Sequence, residues 1–213
     1  MAVICVNNLD IIILNKKSTS TSEWVSECIS SVNDIGNTYI LENEENNIAK
    51  LEVESIKNTN NKYFGFLDND DTLVSENIPK MIHQLEKDDS ICGVYSNYER
   101  IDASGNKINE YRRGSWSPSS QLCSGDYPNH FAIYRRRALD MNLVESTYIN
   151  FNEYYRFVLS SIAANFGYWK HIPIIAYKRR ERDYYINHRR KISDTVRNNA
   201  MKIAIPILTK YLK

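Results

Sequence analysis

The stretch that most constrains this chain runs from Tyr63 to Asp71, where Tyr-Phe-Gly-Phe-Leu ends abruptly in Asp-Asn-Asp-Asp. Tyr63 to Leu67 shows no alternation of apolar and polar residues. A short unbroken run of that kind suits a strand covered on both faces of its sheet. Helices must then lie on each side, which points to an α/β architecture. The three acids fall at the carboxyl end of this strand, the edge at which open α/β sheets bind ligands. Crowded carboxylates repel one another, and a hard divalent cation relieves them, Mg²⁺ in particular taking one or two carboxylates plus substrate phosphates. The other reading is an acidic turn, Asp70, Asp71 and Thr72, that caps the helical pattern of Ser75 to Glu86. The residues alone leave both open.

The rest of the chain extends the alternation. Ala2 to Val6 and Asp10 to Leu14 are short β-branched runs, at least one of them a first central strand. After a polar loop from Asn15, a helix is expected from Ser22 through Val32 behind a Ser or Thr cap, ended by Gly36 and Asn37. Thr38 to Leu41 reads as a strand and Asn46 to Lys57 as a helix. Beyond the acidic turn come a helix facing inward through Ile78, Met81, Ile82 and Leu85, and a strand over Ile91 to Tyr95 that continues into Asn97 to Asp102. Glu110 to Asn129 is rich in Gly, Ser, Pro and Tyr and reads as a long functional or mobile loop. Phe131 to Tyr134 is a strand, Ala138 to Asn142 a short helix, Phe151 to Phe166 a longer one, Trp169 to Tyr177 a strand, and Ile203 to Leu212 a final helix despite Pro206.

Composition narrows the class. With 213 residues, 42% hydrophobic and 25% charged, the chain has the make-up of one globular domain rather than a disordered segment. Its apolar runs are far shorter than the ~20 residues of a membrane span, and no signal peptide pattern opens the sequence. Cys5, Cys28, Cys92 and Cys123 are scattered without Cys-x-x-Cys spacing, so the expectation is reduced thiols in the cytoplasm, with neither a zinc site nor a disulfide framework. Charge is polarised: Lys178 to Lys213 holds 11 Lys or Arg against 3 acids, while the net charge of the whole chain is +1. Such a segment marks either a surface for a polyanion or a solvated terminal helix.

Four blocks resemble the family 2 glycosyltransferases, inverting enzymes of the GT-A fold that use nucleotide-diphosphate sugars. They are Ile11 to Asn15 with Ser22 to Val32; Tyr63 to Asp71 running on through Glu76-Asn77-Ile78 to Cys92-Gly93-Val94-Tyr95-Ser96-Asn97-Tyr98; His130 to Arg136; and Asn152-Glu153-Tyr154-Tyr155 through Gly167-Tyr168 to Tyr177-Lys178-Arg179-Arg180. The second is the most specific, being similar to the DxD strand of the family. The chain departs from the pattern where its first strand ends in Leu14-Asn15-Lys16-Lys17, and at Asn152, where the family often has an acid. The interval before the acids is short for the family, which predicts a missing strand or helix. The Gln-x-x-Arg-Trp signature of processive synthases is absent, which argues against polymerisation.

The resemblance implies a Rossmann-like GT-A domain over residues 1–180, with a mixed, mostly parallel sheet flanked by helices. Residues 181–213 would be a basic, helical extension packed on it. It implies Glu153 as the general base; Asn15, Glu42, Asp68, Asp70, Arg179 and Arg180 around the donor nucleotide and diphosphate; Asp126, His130 and Tyr154 on the acceptor side; and Mn²⁺ or Mg²⁺ held by Asp70, Asp71 and His188. The partners implied are a nucleotide-diphosphate sugar and a hydroxyl acceptor, a saccharide or lipid-linked glycan. The basic C-terminal segment, with Tyr111-Arg112-Arg113 and Tyr134 to Arg137, also admits a nucleic acid bearing a hydroxylated base. A nucleotide- or polyanion-binding module without turnover is the reading from another class. Without the resemblance, Glu153 reads as a helix-start charge favoured by the dipole, and His130 and His188 read as surface or structural histidines.

Overall fold

The computed structural model describes residues 7–15, 20–42, 47–124, 128–147, 154–181 and 194–212. Strand β1 (Leu9–Asn15) pairs in parallel with β2 (Asn37–Glu42) on one side and β3 (Tyr63–Asp68) on the other. Side chains along β1 alternate between two separate apolar clusters, Ile12 and Leu14 in one, Leu9, Ile11 and Ile13 in the other. In β3, Phe64 and Phe66 join the first and Tyr63 and Leu67 the second. A pleated strand sends successive side chains to opposite faces, so an unbroken apolar run is what a strand between two helical layers requires. Helices α1 (Ser22–Ser30) and α3 (Ile78–Lys87) cover the second cluster. The first is covered by α2 (Ile48–Asn58), α4 (Met141–Thr147), α5 (Tyr155–Ala164) and α6 (Asp194–Leu208).

Beyond β3 the sheet turns mixed. The two-residue β4 (Thr72–Leu73) follows the acidic turn, and β5 (Ile91–Ile101) carries β6 (Lys107–Tyr111) antiparallel on its far end. Strand β7 (Ala132–Arg135) wedges antiparallel between β3 and β5; β8 (Tyr168–Arg180) runs parallel to β5 and pairs antiparallel with β4. The strand order is β2-β1-β3-β7-β5-β8-β4. No helix among the described residues is long and apolar enough to cross a membrane.

Several expectations are corrected. Before the acids the structure forms β1, α1, β2, α2 and β3, joined by connections of four to six residues. Ile91 to Ile101 is one continuous strand, as read, whereas β6 is not among the expected strands and runs from Lys107 into the first two residues of the stretch read as loop. All five residues of β6 are exposed, so no apolar alternation announced it. Ser120–Ser124 add a π-helical turn. Helix α4 starts at Met141 because Asp140 Oδ1 accepts from the N–H groups of Asn142 and Leu143, while Arg136–Ala138 form a 3₁₀ turn. Helix α6 begins at Asp194, well before Ile203, and Ala200, Ala204, Ile207 and Leu208 bury against the cluster that contains α5. The run Ala2 to Val6 lies outside the described residues.

Candidate active site

The carboxyl ends of β1, β2 and β3 meet in register, Asn15 opposite Glu42 and Leu14 opposite Asp68. A chain of side-chain hydrogen bonds ties them together. Ser20 Oγ donates to Asn69 Oδ1 at 2.8 Å, Asn69 Nδ2 to Asn15 Oδ1 at 2.6 Å, and Asn15 Nδ2 to Glu42 Oε1 at 2.9 Å. Asn69 is fully buried, so the one amide in the acidic stretch pins that stretch to the end of β1. Asn15 and Glu42, expected at the donor nucleotide, thereby share one edge with Asp68 and Asp70.

The three carboxylates are not equivalent. Asp71 is buried; its Oδ1 accepts the Arg180 backbone N–H at 2.7 Å and its Oδ2 accepts the Tyr177 hydroxyl. Burial, and then the charges of Asp70 and Asp68, push its carboxyl well above the usual range. The Cys28 thiol, which donates to the Asp68 carbonyl at 3.6 Å, is pushed up by burial and by the same three carboxylates. Two groups thus register the negative charge gathered at this turn. Asp71, expected as a metal ligand, clasps the turn to β8.

Asp68 faces the other layer. Its Oδ1 accepts from Arg156 Nη2 at 3.1 Å, and Arg156 Nε donates to Glu52 Oε1 at 2.7 Å. The sequence reading names neither Arg156 nor Glu52. A signal existed: Glu52 interrupts the buried stripe Ala49, Val53 and Ile56 of α2, and a buried carboxylate calls for a cation.

Arg179 and Arg180, both expected at the diphosphate, part company. The buried Arg180 guanidinium donates through Nε to the Asp70 carbonyl at 3.0 Å and through Nη1 to the carbonyls of Asp102 (3.2 Å) and Ala103 (2.9 Å). Its Nη2 pairs with Glu27, and the whole group lies over the Trp24 ring at 5.2 Å. It lines a groove with Ser26 and Lys178 between α1 and β8. Arg179 stays half-buried, 3.5 Å from Glu181, and its charge reaches Tyr98 and His130.

His130 lies two residues before the start of β7 with φ 57°, its imidazole 5.1 Å from the Tyr98 ring and 5.9 Å from that of Tyr177. Burial, then the neighbouring charge of Arg179, push it down to about 3, so the ring is neutral. Tyr154 stacks on Phe157 at 4.7 Å, at the start of α5. Asp126, Glu153 and His188 lie outside the described residues, as do Asn152 and residues 182–193 of the basic segment.

Among the described residues no group of three or more His, Cys, Asp or Glu could hold a metal ion by itself. The carboxylates of Asp68 and Asp70, in a field strong enough to raise both Asp71 and Cys28, fit a divalent cation that completes its shell with substrate phosphates and water.

Solved structures share this architecture. That of S. aureus TarS 1–349 in complex with UDP-GlcNAc matches with a TM-score of 0.55 at 12% identity, over 83% of this chain and 59% of that one. GalNAc-T7 with UDP, GalNAc and Mn²⁺ matches with a TM-score of 0.63 at 12% identity, over 96% of this chain and 50% of that one. The chain therefore spans between half and three fifths of the length of these two, and at such identity the likeness is one of fold. No curated protein sequence matches it. The sequence profile of glycosyl transferase family 2, however, matches residues 4–145, from the first strand through the acidic turn and into α4. With well over half of its length matched, and the GT-A sheet placing the acids at a strand end, the chain belongs to glycosyl transferase family 2.

Proposed function

We propose that this protein transfers one sugar from a nucleotide-diphosphate sugar to an acceptor hydroxyl of a saccharide or glycan, with inversion and with the help of Mn²⁺ or Mg²⁺. The observation that carries the reading is the convergence of Asn15, Glu42, Asp68 and Asp70 on one sheet edge, tied by the Ser20–Asn69–Asn15–Glu42 chain. The solved relatives hold UDP or UDP-GlcNAc, so a uridine diphosphate sugar is the first donor to test.

In this reading Asn15 and Glu42 take the nucleoside, and Asp68 and Asp70 stand at the diphosphate end. Bound there, a divalent cation would supply charge neutralisation for the departing diphosphate. Arg179, beside Tyr98 and His130, serves the phosphates or the acceptor entering from β5 and β8. Neutral His130 offers one donor and one acceptor, a match for sugar hydroxyls. Glu153 takes the proton of the attacking hydroxyl, which displaces the diphosphate from the opposite face of the anomeric carbon. Asp126 and Tyr154 flank the acceptor, and His188 adds a ligand for the cation.

Incubating the protein with a panel of nucleotide sugars, Mn²⁺ and glycan acceptors tests this. The expected result is donor consumption that needs the metal, is abolished by Asp70→Ala and falls by ~10² to 10⁴ in Glu153→Gln, the span of a general base. Donor binding with no consumption by any acceptor would overturn it in favour of a binding module.

A further inference from the structure

The Glu52–Arg156–Asp68 bridge joins α2 and α5, two helices of one layer, to the acid at the end of β3, and the function above gives it no task. We infer that Arg156 is a fixed cation of the donor site, presenting its Nη1 edge to the phosphate oxygens of a nucleoside diphosphate. The inference rests on the reading that this sheet edge binds such a donor.

Arg156 stands in the first turn of α5, immediately after the segment that contains Glu153. Its guanidinium is held on three sides: Nε on the fully buried Glu52, Nη2 on Asp68, and its face 5.6 Å from the centre of the Phe66 ring. Nη1 makes no hydrogen bond among the described residues, although the other two nitrogens are engaged. A planar fork fixed in this way has already given up its rotamer freedom and can meet an oxyanion without further ordering.

Charge supports the same assignment. Compensating Glu52 would need only the one contact, yet the side chain reaches on to Asp68, at the edge where Asp68, Asp70 and Asp71 gather negative charge. A diphosphate entering that edge meets acids of its own sign. Besides a bound divalent cation, Arg156 is the permanent positive charge already in contact with the acid cluster from the side of α2 and α5, and its field extends to His130. Guanidinium groups favour phosphate oxygens, with which they form short, charge-assisted pairs.

The test must separate binding from folding. In the double variant Glu52→Gln with Arg156→Gln both members of the buried pair are removed, which avoids stranding a buried charge. Arg156→Lys keeps a cation for Glu52 but loses the fork. The probe is whichever of UDP, GDP, ADP, CDP and dTDP stabilises the wild-type protein most with Mn²⁺, compared by calorimetric titration with its own monophosphate. The expected result is a diphosphate affinity lower by about tenfold or more in the double variant and several-fold in Arg156→Lys, with monophosphate affinity less affected and melting temperatures near wild type. Diphosphate binding within twofold of wild type in both variants would overturn the assignment while leaving the glycosyltransferase reading intact. A wild-type protein that binds none of the five diphosphates would overturn both.

Discussion

At the scale of single residues, His130 carries the most unusual combination: a left-handed backbone, a neutral ring and a position between the strand of the acids and the strand of Tyr98. A side chain other than glycine at φ 57° is strained, and such positions persist where surrounding contacts hold them, often at functional sites. Its ionisation gives a test with a definite sign. Unfolded, the imidazole titrates near 6.5; folded, it is pushed down to about 3. The unfolded chain therefore binds more protons between these values, and stability contributed by this residue at neutral pH is lost as pH falls from 6.5 towards 3. His130→Gln, which cannot titrate, should show a shallower decline of melting temperature over that window. Identical pH profiles for the two proteins would remove the claim that His130 is held neutral. The carboxylates beside it were legible in the sequence because their kind and spacing sit at the end of an apolar run. Arg156 and Glu52 were not, since 104 positions separate them and only the fold brings them to 2.7 Å. Tyr177 and Arg180 as partners of Asp71 were hidden for the same reason.

At the scale of elements, the junction of α3, β5 and β8 shows what local sequence can and cannot announce. Asp88 follows α3, its Oδ1 accepting from the Ser90 N–H and hydroxyl and its Oδ2 from the Tyr168 hydroxyl at 2.7 Å. The Ser90 contacts belong to a local turn, whereas the Tyr168 contact ties the end of a helix to the start of a strand 80 residues on. Hydrogen bonds from Ser90 and Tyr168 hold the carboxyl down to about 2. A depressed acid contributes stability above its unfolded value and loses it as pH falls through the folded one. Asp88→Asn should therefore flatten the acid limb of the stability curve between about pH 4 and pH 2, read by circular dichroism melts. In the neighbouring strand, a Cβ on Gly93 would come within 2.3 Å of the Trp169 ring and 2.8 Å of the Ile133 carbonyl. Gly93→Ala should cost about 1–3 kcal/mol, the usual price of overpacking, seen as a lower denaturation midpoint with an unchanged slope. Strands with two covered faces and helices with an apolar stripe were readable from period alone. Strand β6, exposed at every position, and the two-residue β4 carry no period, and they exist because β5 and β8 offer them edges.

At the scale of the molecule, the acidic turn is an assembly of both ends of the chain. The family match stops at residue 145, yet the turn is closed by Tyr177 and Arg180 of β8, which lie beyond it. Arg180 is the hub: one guanidinium joins α1 through Glu27 and Trp24, the turn through the Asp70 carbonyl, and the β5–β6 connection through the carbonyls of Asp102 and Ala103. Trp24 Nε1 donates to the same Ala103 carbonyl at 3.1 Å, so three segments far apart in sequence meet at one side chain. Replacing it by an apolar residue of similar length leaves several carbonyls with lost donors and Glu27 without its cation. Because Glu27 is itself partly exposed, the loss comes mainly from the carbonyls, and Arg180→Met should cost about 2–4 kcal/mol. For a chain of this length that is a fall in melting temperature of roughly 5–15 °C. Amide exchange would quicken together in α1, in the Asp70 turn and in the Asp102 to Gly105 connection, the three segments the guanidinium joins. Exchange that quickens only around residue 180, with the other two segments protected as before, would show that β8 holds the site by its backbone pairing alone.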